Sequence, residues 1–416
     1  MNKLINRNLY VENIKRFVNC EQIKVITGIR RSGKSEILKL VRQEVLKQTD
    51  ENHIIYLDFE DFDNNDLLNP KSLHDYVKNK MKDEKTYYIF FDEIQKAGEW
   101  EKVVASLKKR NTDIYITGSN AQLLSGEFAT NIAGRYVSFN VYPLSFNEFN
   151  YFRIEFGIES YPKDITKVLD DYIEIGGFPV LSTGNYSPDM ARKIVTDIHS
   201  SAVLKDVVER YKIKNVSLLQ RIIAFIYDSV GSLVSITKIS NYLKSNKAVG
   251  DSGGDFETIS SYIGYLENAC ILKKAKRFEI MGKKLLESNN KYYLADHSLQ
   301  YTIRDFKKTK LPGILENIVY NELIRKGYSV YTGKMSPADN REIDLVAEKN
   351  NGDEKIYIQV CYEFGSIGTI DREFSPLTEI KDHHPKYVVT LDKYWKENRN
   401  GVTGIHLTDF LLKDQY

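Results

Sequence analysis

The chain has 416 residues and a mass of 48.1 kDa, which predicts two to four domains at roughly 100–200 residues each. Hydrophobic residues make up 42% and charged residues 28%, so the composition is that of a folded protein with a sizeable core and excludes a disordered chain. The 59 basic and 57 acidic side chains give a net charge of +2, which excludes a global positive field that would gather nucleic acid or acidic lipid.

The cysteine spacing and the length of the apolar runs indicate in which cellular compartment the protein is expected. Cys20, Cys270 and Cys361 have no metal-ligand spacing and cannot form a disulfide framework, which favours a reducing compartment. No run approaches the ~18 apolar residues of a membrane span, and residues 1–10 mix Asn, Lys and Arg instead of forming an apolar secretory segment. We therefore expect a cytoplasmic protein without a membrane partner.

The first third of the chain alternates short β-branched runs with amphipathic stretches, which is typical of a parallel sheet with crossover helices. Apolar residues at three- and four-residue spacings predict a helix over 35–47. Five strands are predicted, over 22–27, 53–59, 87–92, 113–117 and 136–141. Residues 1–145 are therefore predicted to form an α/β domain.

Two further regions follow Pro143, where the alternating strand and helix pattern ends. Residues 146–290 contain the turn signature Gly176-Gly177-Phe178-Pro179 and helical periodicity over 218–230, 236–243 and 258–266, followed by a strand-like stretch at 274–278. This order suits a winged-helix module, and an ordinary helical lid is the alternative. Residues 291–416 predict a small α/β unit with a helix near 315–326 and strands near 329–331, 343–348 and 355–360.

A complete eight-residue phosphate-binding pattern follows the first predicted strand and precedes the first long helix: Gly28-Ile29-Arg30-Arg31-Ser32-Gly33-Lys34-Ser35. Glycines let the backbone curl so that its N–H groups face phosphates, and the helix start adds positive dipole. We expect Lys34 to reach the β and γ phosphates and the Ser35 hydroxyl to take a magnesium position. These residues and Glu36 are predicted to bind the nucleotide, and a plain glycine turn is the alternative.

Two carboxylates follow the third predicted strand, in Tyr88-Ile89-Phe90-Phe91-Asp92-Glu93. Asp92 is predicted to hold magnesium through its water shell, and Glu93 to orient and deprotonate the water that attacks the γ phosphate. Paired acids at a strand end are common on protein surfaces, so this prediction depends on the phosphate loop that precedes them.

Three more residues complete the predicted catalytic site. Strand 113–117 runs into Gly118 and then Ser119 and Asn120, which are predicted to contact the γ phosphate or the attacking water at the carboxyl edge of the sheet. A polar turn with a helix cap is the alternative. Arg135 precedes the fifth strand and is predicted to stabilise transition-state charge, in its own site or a neighbour's. An ordinary surface arginine is the alternative.

Together these residues resemble the AAA-type ATPase superfamily, and within it a group of bacterial and archaeal ATPases that join an AAA-like domain to a carboxy-terminal restriction-endonuclease-like domain. The resemblance rests on the phosphate loop from Thr27 and on Phe91-Asp92-Glu93-Ile94-Gln95-Lys96, Thr117-Gly118-Ser119, Gly134-Arg135-Tyr136, Tyr142-Pro143-Leu144-Ser145-Phe146 and Gly176-Gly177-Phe178-Pro179. It implies an AAA-type sheet, a helical or winged-helix middle region and ATP as the nucleotide, with Mg²⁺ beside it.

The carboxy-terminal region departs from the endonuclease pattern. Such nucleases hold a metal with an acid from an early helix, an Asp beginning one strand and a Glu-x-Lys on the next. Here Glu316 or Glu322 lies on the helix and Asp344 begins a strand, but the Glu-x-Lys position reads Gln359-Val360-Cys361. Because an amide is a poorer magnesium ligand and a cysteine cannot replace an ammonium, we predict a vestigial metal site of Glu316, Asp344 and Gln359. An active metal-dependent nuclease is the alternative.

Basic residues cluster after the third helix of the middle region, at Lys273, Lys274, Lys276, Arg277, Lys283 and Lys284. Such a cluster on a winged helix suits duplex phosphates, and a solvated face is the alternative.

Taken together, the sequence predicts a Mg²⁺-dependent ATPase whose later modules bind or regulate a macromolecular partner, with DNA, another protein or a second copy of the chain as candidates. A DNA-binding regulator switched by ATP is the alternative.

Overall fold

A computed structural model of the chain describes residues 3–120, 134–158, 164–245, 254–303, 311–336, 341–392 and 398–416. The chain divides into two compact units, residues 1–143 with 268–270, and residues 144–267 with 271–416. The division after Pro143 lies two residues before the predicted domain boundary. Among the helices described, none combines the length and the apolar character needed to cross a bilayer.

The first unit is built on a parallel sheet in the order β2-β3-β4-β1-β5. Its strands are β1 (Ile23–Thr27), β2 (Ile54–Asp58), β3 (Tyr87–Asp92), β4 (Thr112–Gly118) and β5 (Tyr136–Asn140), and its helices are α1 (Asn8–Lys15), α2 (Lys34–Leu46), α3 (Pro70–Lys80) and α4 (Trp100–Leu107). All five predicted strands and the predicted helix after the phosphate loop are confirmed.

Apolar cores cover both faces of this sheet. On one face, side chains of α3 and α4 pack against strand residues such as Ile89 and Phe91. On the other, side chains of α1 and α2 pack against Ile26, Phe90 and Tyr115. Strands that are buried on both faces are continuous apolar runs, which is why the sequence pattern identified them.

The strand order brings the predicted site residues to one edge. β4 lies between β3 and β1, and all three strands are parallel. Thr27, Asp92 and Gly118 end these strands, so they share the carboxyl edge of the sheet. Ligands of open parallel sheets bind at this edge, where the loops that leave adjacent strands separate.

The second unit contains both helices and strands within its described residues. Its helices are α5 (Phe146–Glu155), α6 (Ile165–Ile175), α7 (Pro188–Ala202), α8 (Val216–Asp228), α9 (Ile236–Ser245), α10 (Phe256–Asn268), α11 (Leu311–Arg325), α12 (Ile367–Thr378) and α13 (Leu407–Leu411), and a π-helical segment, Val203–Glu209, continues α7. Its strands are β6 (Leu272–Glu279), β7 (Lys284–Leu294), β8 (Ser329–Lys334), β9 (Glu342–Lys349), β10 (Glu354–Cys361), β11 (Lys386–Thr390), β12 (Asn398–Arg399) and β13 (Val402–His406).

These strands form one mixed sheet in the order β12-β13-β11-β10-β9-β8-β6-β7 across the described residues. The hairpin of β6 and β7 joins the later strands because β6 pairs in parallel with β8. The boundary predicted between residues 290 and 291 therefore falls inside β7, and the hairpin continues the sheet of the carboxy-terminal region.

The Gly176-Gly177 signature is explained by a tight turn within the second unit. Gly176 has a φ of +92°, and a Cβ on it would lie 2.4 Å from the Ser298 side chain. The Gly177 N–H donates to the Asp296 carboxylate over 2.9 Å, and its carbonyl accepts from the N–H of Leu144 over 2.6 Å. This motif therefore has a packing role, because a side chain at Gly176 would meet Ser298.

Candidate phosphate-binding site and the carboxy-terminal charge cluster

The phosphate loop depends on two glycines with unusual backbone angles. Gly28 has a φ of +151°, and a Cβ there would lie 2.2 Å from the carbonyl oxygen of Val141. Gly33 has a φ of +98° and caps the amino end of α2, which begins at Lys34. A side chain at Gly28 would collide with the backbone that follows β5, so glycine is required at this position.

A buried arginine ties the loop to the rest of the unit. The Arg7 guanidinium donates to the carbonyl of Ser32 over 2.8 Å and to the carbonyl of Tyr142 over 2.9 Å. It also lies over the Tyr10 ring, with its central carbon 4.5 Å from the ring centroid. One planar group thus ties the backbone of the loop to the backbone that follows β5. The sequence gives no sign of this role because Arg7 lies 25 residues before Ser32.

Lys34 and Glu93 lie side by side at the carboxyl edge. The Lys34 ammonium is buried, 3.5 Å from a carboxylate oxygen of Glu93, and donates to the carbonyl of Ile29 over 3.3 Å. Glu93 has a φ of +54°, and its carboxylate accepts a hydrogen bond from the Gln95 side chain. The predicted phosphate-binding ammonium and the predicted general base are thus brought together.

Three hydroxyl groups surround the buried Asp92 carboxylate. Thr117 and Ser35 hydrogen-bond it, and the Tyr56 hydroxyl donates to it over 3.1 Å. Burial raises the pKa of Asp92, and the Thr117 and Ser35 hydrogen bonds oppose that rise. The Thr117 oxygen also accepts the backbone N–H of Glu93 over 2.9 Å, so one β4 side chain sets the positions of both acids.

The other predicted nucleotide contacts have different surroundings. Ser119 and Asn120 are buried directly after β4. Arg30 lies 3.8 Å from Glu60, and Arg31 is exposed. The Glu36 side chain lies on the exposed surface of α2 and pairs with Lys39 over 2.8 Å.

Arg135 lies at the opposite edge of the sheet. It precedes β5, and its carbonyl accepts the N–H of Ile23, at the amino end of β1, over 2.8 Å. The five residues of β1 span about 16 Å at a rise of about 3.3 Å per residue. This exceeds the reach of an arginine side chain, so the structure does not bring Arg135 to the phosphate loop of its own chain.

The residues present fit a magnesium ion at the phosphate loop. The Ser35 hydroxyl and the Asp92 carboxylate are oxygen ligands already in contact, and Mg²⁺ is usually held by one or two protein ligands, substrate phosphates and water. The buried Ser32 hydroxyl in the loop has no hydrogen-bond partner within the described residues. A ligand that offers oxygen atoms would satisfy it.

A second charge cluster lies in the carboxy-terminal sheet. Glu316 on α11 and Asp344 on β9 both contact the ammonium of Lys291 on β7, over 2.6 and 3.1 Å. Glu322, the alternative acid on the helix, instead pairs with Arg325 and Lys326. Of the two helix acids considered from sequence, Glu316 is therefore the one near Asp344.

Gln359 and Cys361, which stand at the Glu and Lys positions of the endonuclease pattern, both have structural contacts. The Gln359 side-chain oxygen accepts the backbone N–H of Asp344 over 3.1 Å. Cys361 packs in the apolar core, and burial raises the pKa of its thiol to about 12. Lys291 supplies an ammonium from another strand, and sequence alone gives no sign of this because Lys291 lies 53 residues before Asp344.

Two family models match parts of the chain. A model described as an AAA domain matches residues 20–150, and a domain of unknown function, DUF8612, matches residues 166–310. An uncharacterised protein of Haemophilus influenzae is 38% identical over 415 residues, which is 99% of either chain. An uncharacterised protein of Methanocaldococcus jannaschii, MJ1544, is 30% identical over 376 residues, 87% of this chain and 78% of its own.

Among solved structures, the Walker-type ATPase PABY2304 of Pyrococcus abyssi is similar, with a TM-score of 0.50 and 15% sequence identity. The match covers 72% of this chain and 95% of that one. At this identity the likeness concerns the fold alone.

Proposed function

The chain belongs to the family of its Haemophilus influenzae and Methanocaldococcus jannaschii relatives, its amino-terminal part is an AAA-type P-loop ATPase domain, and from this premise we propose Mg²⁺-dependent ATP hydrolysis. One observation carries the proposal. The buried Lys34 ammonium lies 3.5 Å from Glu93, at the end of a complete phosphate loop. A phosphate-binding cation and a residue that orients or deprotonates water are two of the groups that P-loop NTPases use for hydrolysis.

The residues divide the chemistry between them. Lys34 and the backbone N–H groups of the loop bind the β and γ phosphates, which replace Glu93 as partners of the ammonium. Glu93 then accepts a proton from water as the water oxygen bonds to the γ phosphorus and the bond to ADP breaks. Gln95 donates to Glu93 and restricts the carboxylate to one side of the site. Ser119 and Asn120 are proposed to contact the γ phosphate or the water.

Ser35 and Asp92 would hold the magnesium ion, which supplies positive charge that neutralises the phosphate oxygens. The hydrogen bond between Ser35 and Asp92 and the burial of the carboxylate support this assignment. Thr117 and Tyr56 also hydrogen-bond Asp92, so the acid is oriented from three directions.

Glu93→Gln tests the proposed base. The amide keeps the size of the side chain but cannot accept a proton, so we expect ATP binding to persist and turnover to fall about 100-fold or more. Lys34→Ala should weaken both binding and turnover. Phosphate release and nucleotide affinity are measured on the full chain. Glu99→Gln is the matched control, because Glu99 is an exposed acid paired with Lys102. An unchanged rate in Glu93→Gln would contradict the assigned role.

The position of Arg135 supports hydrolysis between subunits. Its side chain is exposed at the sheet edge opposite the phosphate loop, so the proposed charge-stabilising role requires the site of a second copy. We therefore extend the proposal to a homo-oligomer in which Arg135 of one subunit acts on the nucleotide of the next.

Mixing two inactive variants tests this arrangement. Arg135→Ala keeps an intact phosphate loop, whereas Lys34→Ala keeps the arginine, so each alone should hydrolyse ATP at least about 100-fold more slowly than the unmodified protein. A mixture should regain activity at interfaces that combine the two intact halves. Arg16→Ala, an exposed arginine in the same unit, serves as the control. Full activity of Arg135→Ala, or no recovery in the mixture, would overturn the interface role.

The later modules are proposed to bind a macromolecular partner, with DNA as one candidate and an unidentified protein as another. The order α8, α9, α10 and then the β6–β7 hairpin supports a winged-helix-like module, as does the isolated antiparallel bridge between Val234 and Asn290. The sheet of β8 to β11 with α11 supports a restriction-endonuclease-like region. The proposed role of that region is binding or regulation.

The basic cluster on β6 gives the DNA proposal its test. Arg277 pairs with Glu342 and Lys284 lies 3.5 Å from Glu279, whereas Lys274 and Lys276 are exposed. Replacing both exposed lysines with glutamate should weaken duplex binding. The plot of log affinity against log salt should become less steep, its slope falling in magnitude by about 2. Lys78→Glu with Lys80→Glu, on exposed α3 positions, is the control. Equal affinities and slopes in both double variants would remove DNA as the partner of this face.

The cysteines support a proposed cytoplasmic location. Cys20, Cys270 and Cys361 are all free thiols. Free thiols persist in reducing compartments.

A further inference from the structure

The Lys291 cluster places three charges in the interior of the carboxy-terminal sheet. The side chains of Lys291, Glu316 and Asp344 are only 3%, 8% and 19% exposed. The ammonium bonds one oxygen of each carboxylate, over 2.6 and 3.1 Å. A single cation therefore bridges two acids that come from a helix and a different strand.

The oxygens around this bridge already have protein partners. The Glu316 oxygen that contacts Lys291 also accepts from the Tyr293 hydroxyl. The second Asp344 oxygen accepts the N–H of Val360 over 3.0 Å. The Gln359 oxygen, the atom that would ligate a metal, accepts the N–H of Asp344 over 3.1 Å. Each of these interactions satisfies an oxygen without any bound ion.

A metal ion and the ammonium cannot share this position. Divalent cations lie about 2.0–2.6 Å from carboxylate oxygens, so an ion bridging the same two oxygens would overlap the Lys291 nitrogen. In the part of the chain that the structure describes, no group of three or more His, Cys, Asp or Glu residues could hold a metal ion. The space between the two carboxylates therefore holds either the Lys291 ammonium or a metal ion, but not both.

We propose that the Lys291 ammonium is a built-in cation that takes the place of a divalent metal between Glu316 and Asp344. The carboxy-terminal region of the native chain then binds no divalent metal at these acids. Removing the ammonium converts the two carboxylates into a site for Mn²⁺ or Mg²⁺. This inference does not depend on ATP hydrolysis, because every residue in it lies in the second unit.

The charge balance of the cluster agrees with this proposal. Burial raises the pKa of Glu316 to about 7, even though Lys291 lowers it. Burial alone would lower the pKa of Lys291, but the two carboxylates outweigh burial and hold that pKa above its ordinary value. The ammonium and the two carboxylates therefore stabilise each other's charges, and the chain supplies this cation covalently.

Lys291→Met in the full chain tests the proposal. Without nucleotide and in EDTA, this variant should unfold at a lower temperature than the unmodified protein, because two buried carboxylates lose their cation. Adding Mn²⁺ should raise the unfolding temperature of the variant more than that of the unmodified protein. Lys291→Met combined with Asp344→Asn is the matched control and should lose the extra response. A folded Lys291→Met that responds to Mn²⁺ only as the unmodified protein does would overturn the proposal.

Asp344→Asn decides the question even where Lys291→Met does not fold, because it leaves the Lys291–Glu316 pair intact. Electron paramagnetic resonance of Mn²⁺ counts the bound ions in the unmodified chain and in this variant. The proposal predicts equal numbers. One more bound ion in the unmodified chain than in Asp344→Asn, or Mn²⁺-dependent plasmid cleavage that this substitution abolishes, would contradict it.

Discussion

The candidate ATPase site depends on the placement of β4 between β1 and β3. In this order, one strand, β4, separates the phosphate loop after β1 from the acids after β3. Thr117 on β4 lies between them. Its hydroxyl contacts Asp92 and the N–H of Glu93, so the acids are fixed relative to each other. Lys34 then reaches Glu93 from the other side, over 3.5 Å. A change in strand order would separate these groups.

Much of this arrangement could be predicted because its signals are local. Buried parallel strands are continuous apolar runs, and the phosphate loop is one uninterrupted pattern, so the five strands and the places of Lys34, Asp92 and Glu93 at their ends could be predicted from these local patterns taken together. The edge at which they meet followed from the rule that ligands of parallel sheets bind beyond the carboxyl ends of strands.

The remaining site residues could not be predicted because their partners are distant in sequence. Arg7 contacts a carbonyl 25 residues away, and Tyr56 contacts an acid 36 residues away. Lys291 stands before the apolar run Tyr292–Leu294 and looks like an ordinary strand residue until α11 and β9 surround it. The sequence also left Glu316 and Glu322 as alternatives, since both lie on the same helix and only folding pairs Glu322 with Arg325.

The two charge clusters use similar residues in different ways. At the phosphate loop, the ammonium and the nearest carboxylate are 3.5 Å apart, a separation that leaves the ammonium able to exchange its partner for phosphate. In the carboxy-terminal sheet, the ammonium bonds two carboxylates that also accept from the Tyr293 hydroxyl and from the N–H of Val360. The first arrangement suits a site that exchanges ligands, and the second suits a fixed structural charge.

Calorimetric titration of the folded full chain with ATP and Mg²⁺ tests the central claim most directly, with Lys34→Ala titrated in parallel. The account predicts saturable heat for the unmodified chain and a large loss of affinity in the variant, because main-chain amides and one ammonium hold the triphosphate. Folded protein that gives no heat with any purine nucleotide, or equal affinity in the two proteins, would contradict it.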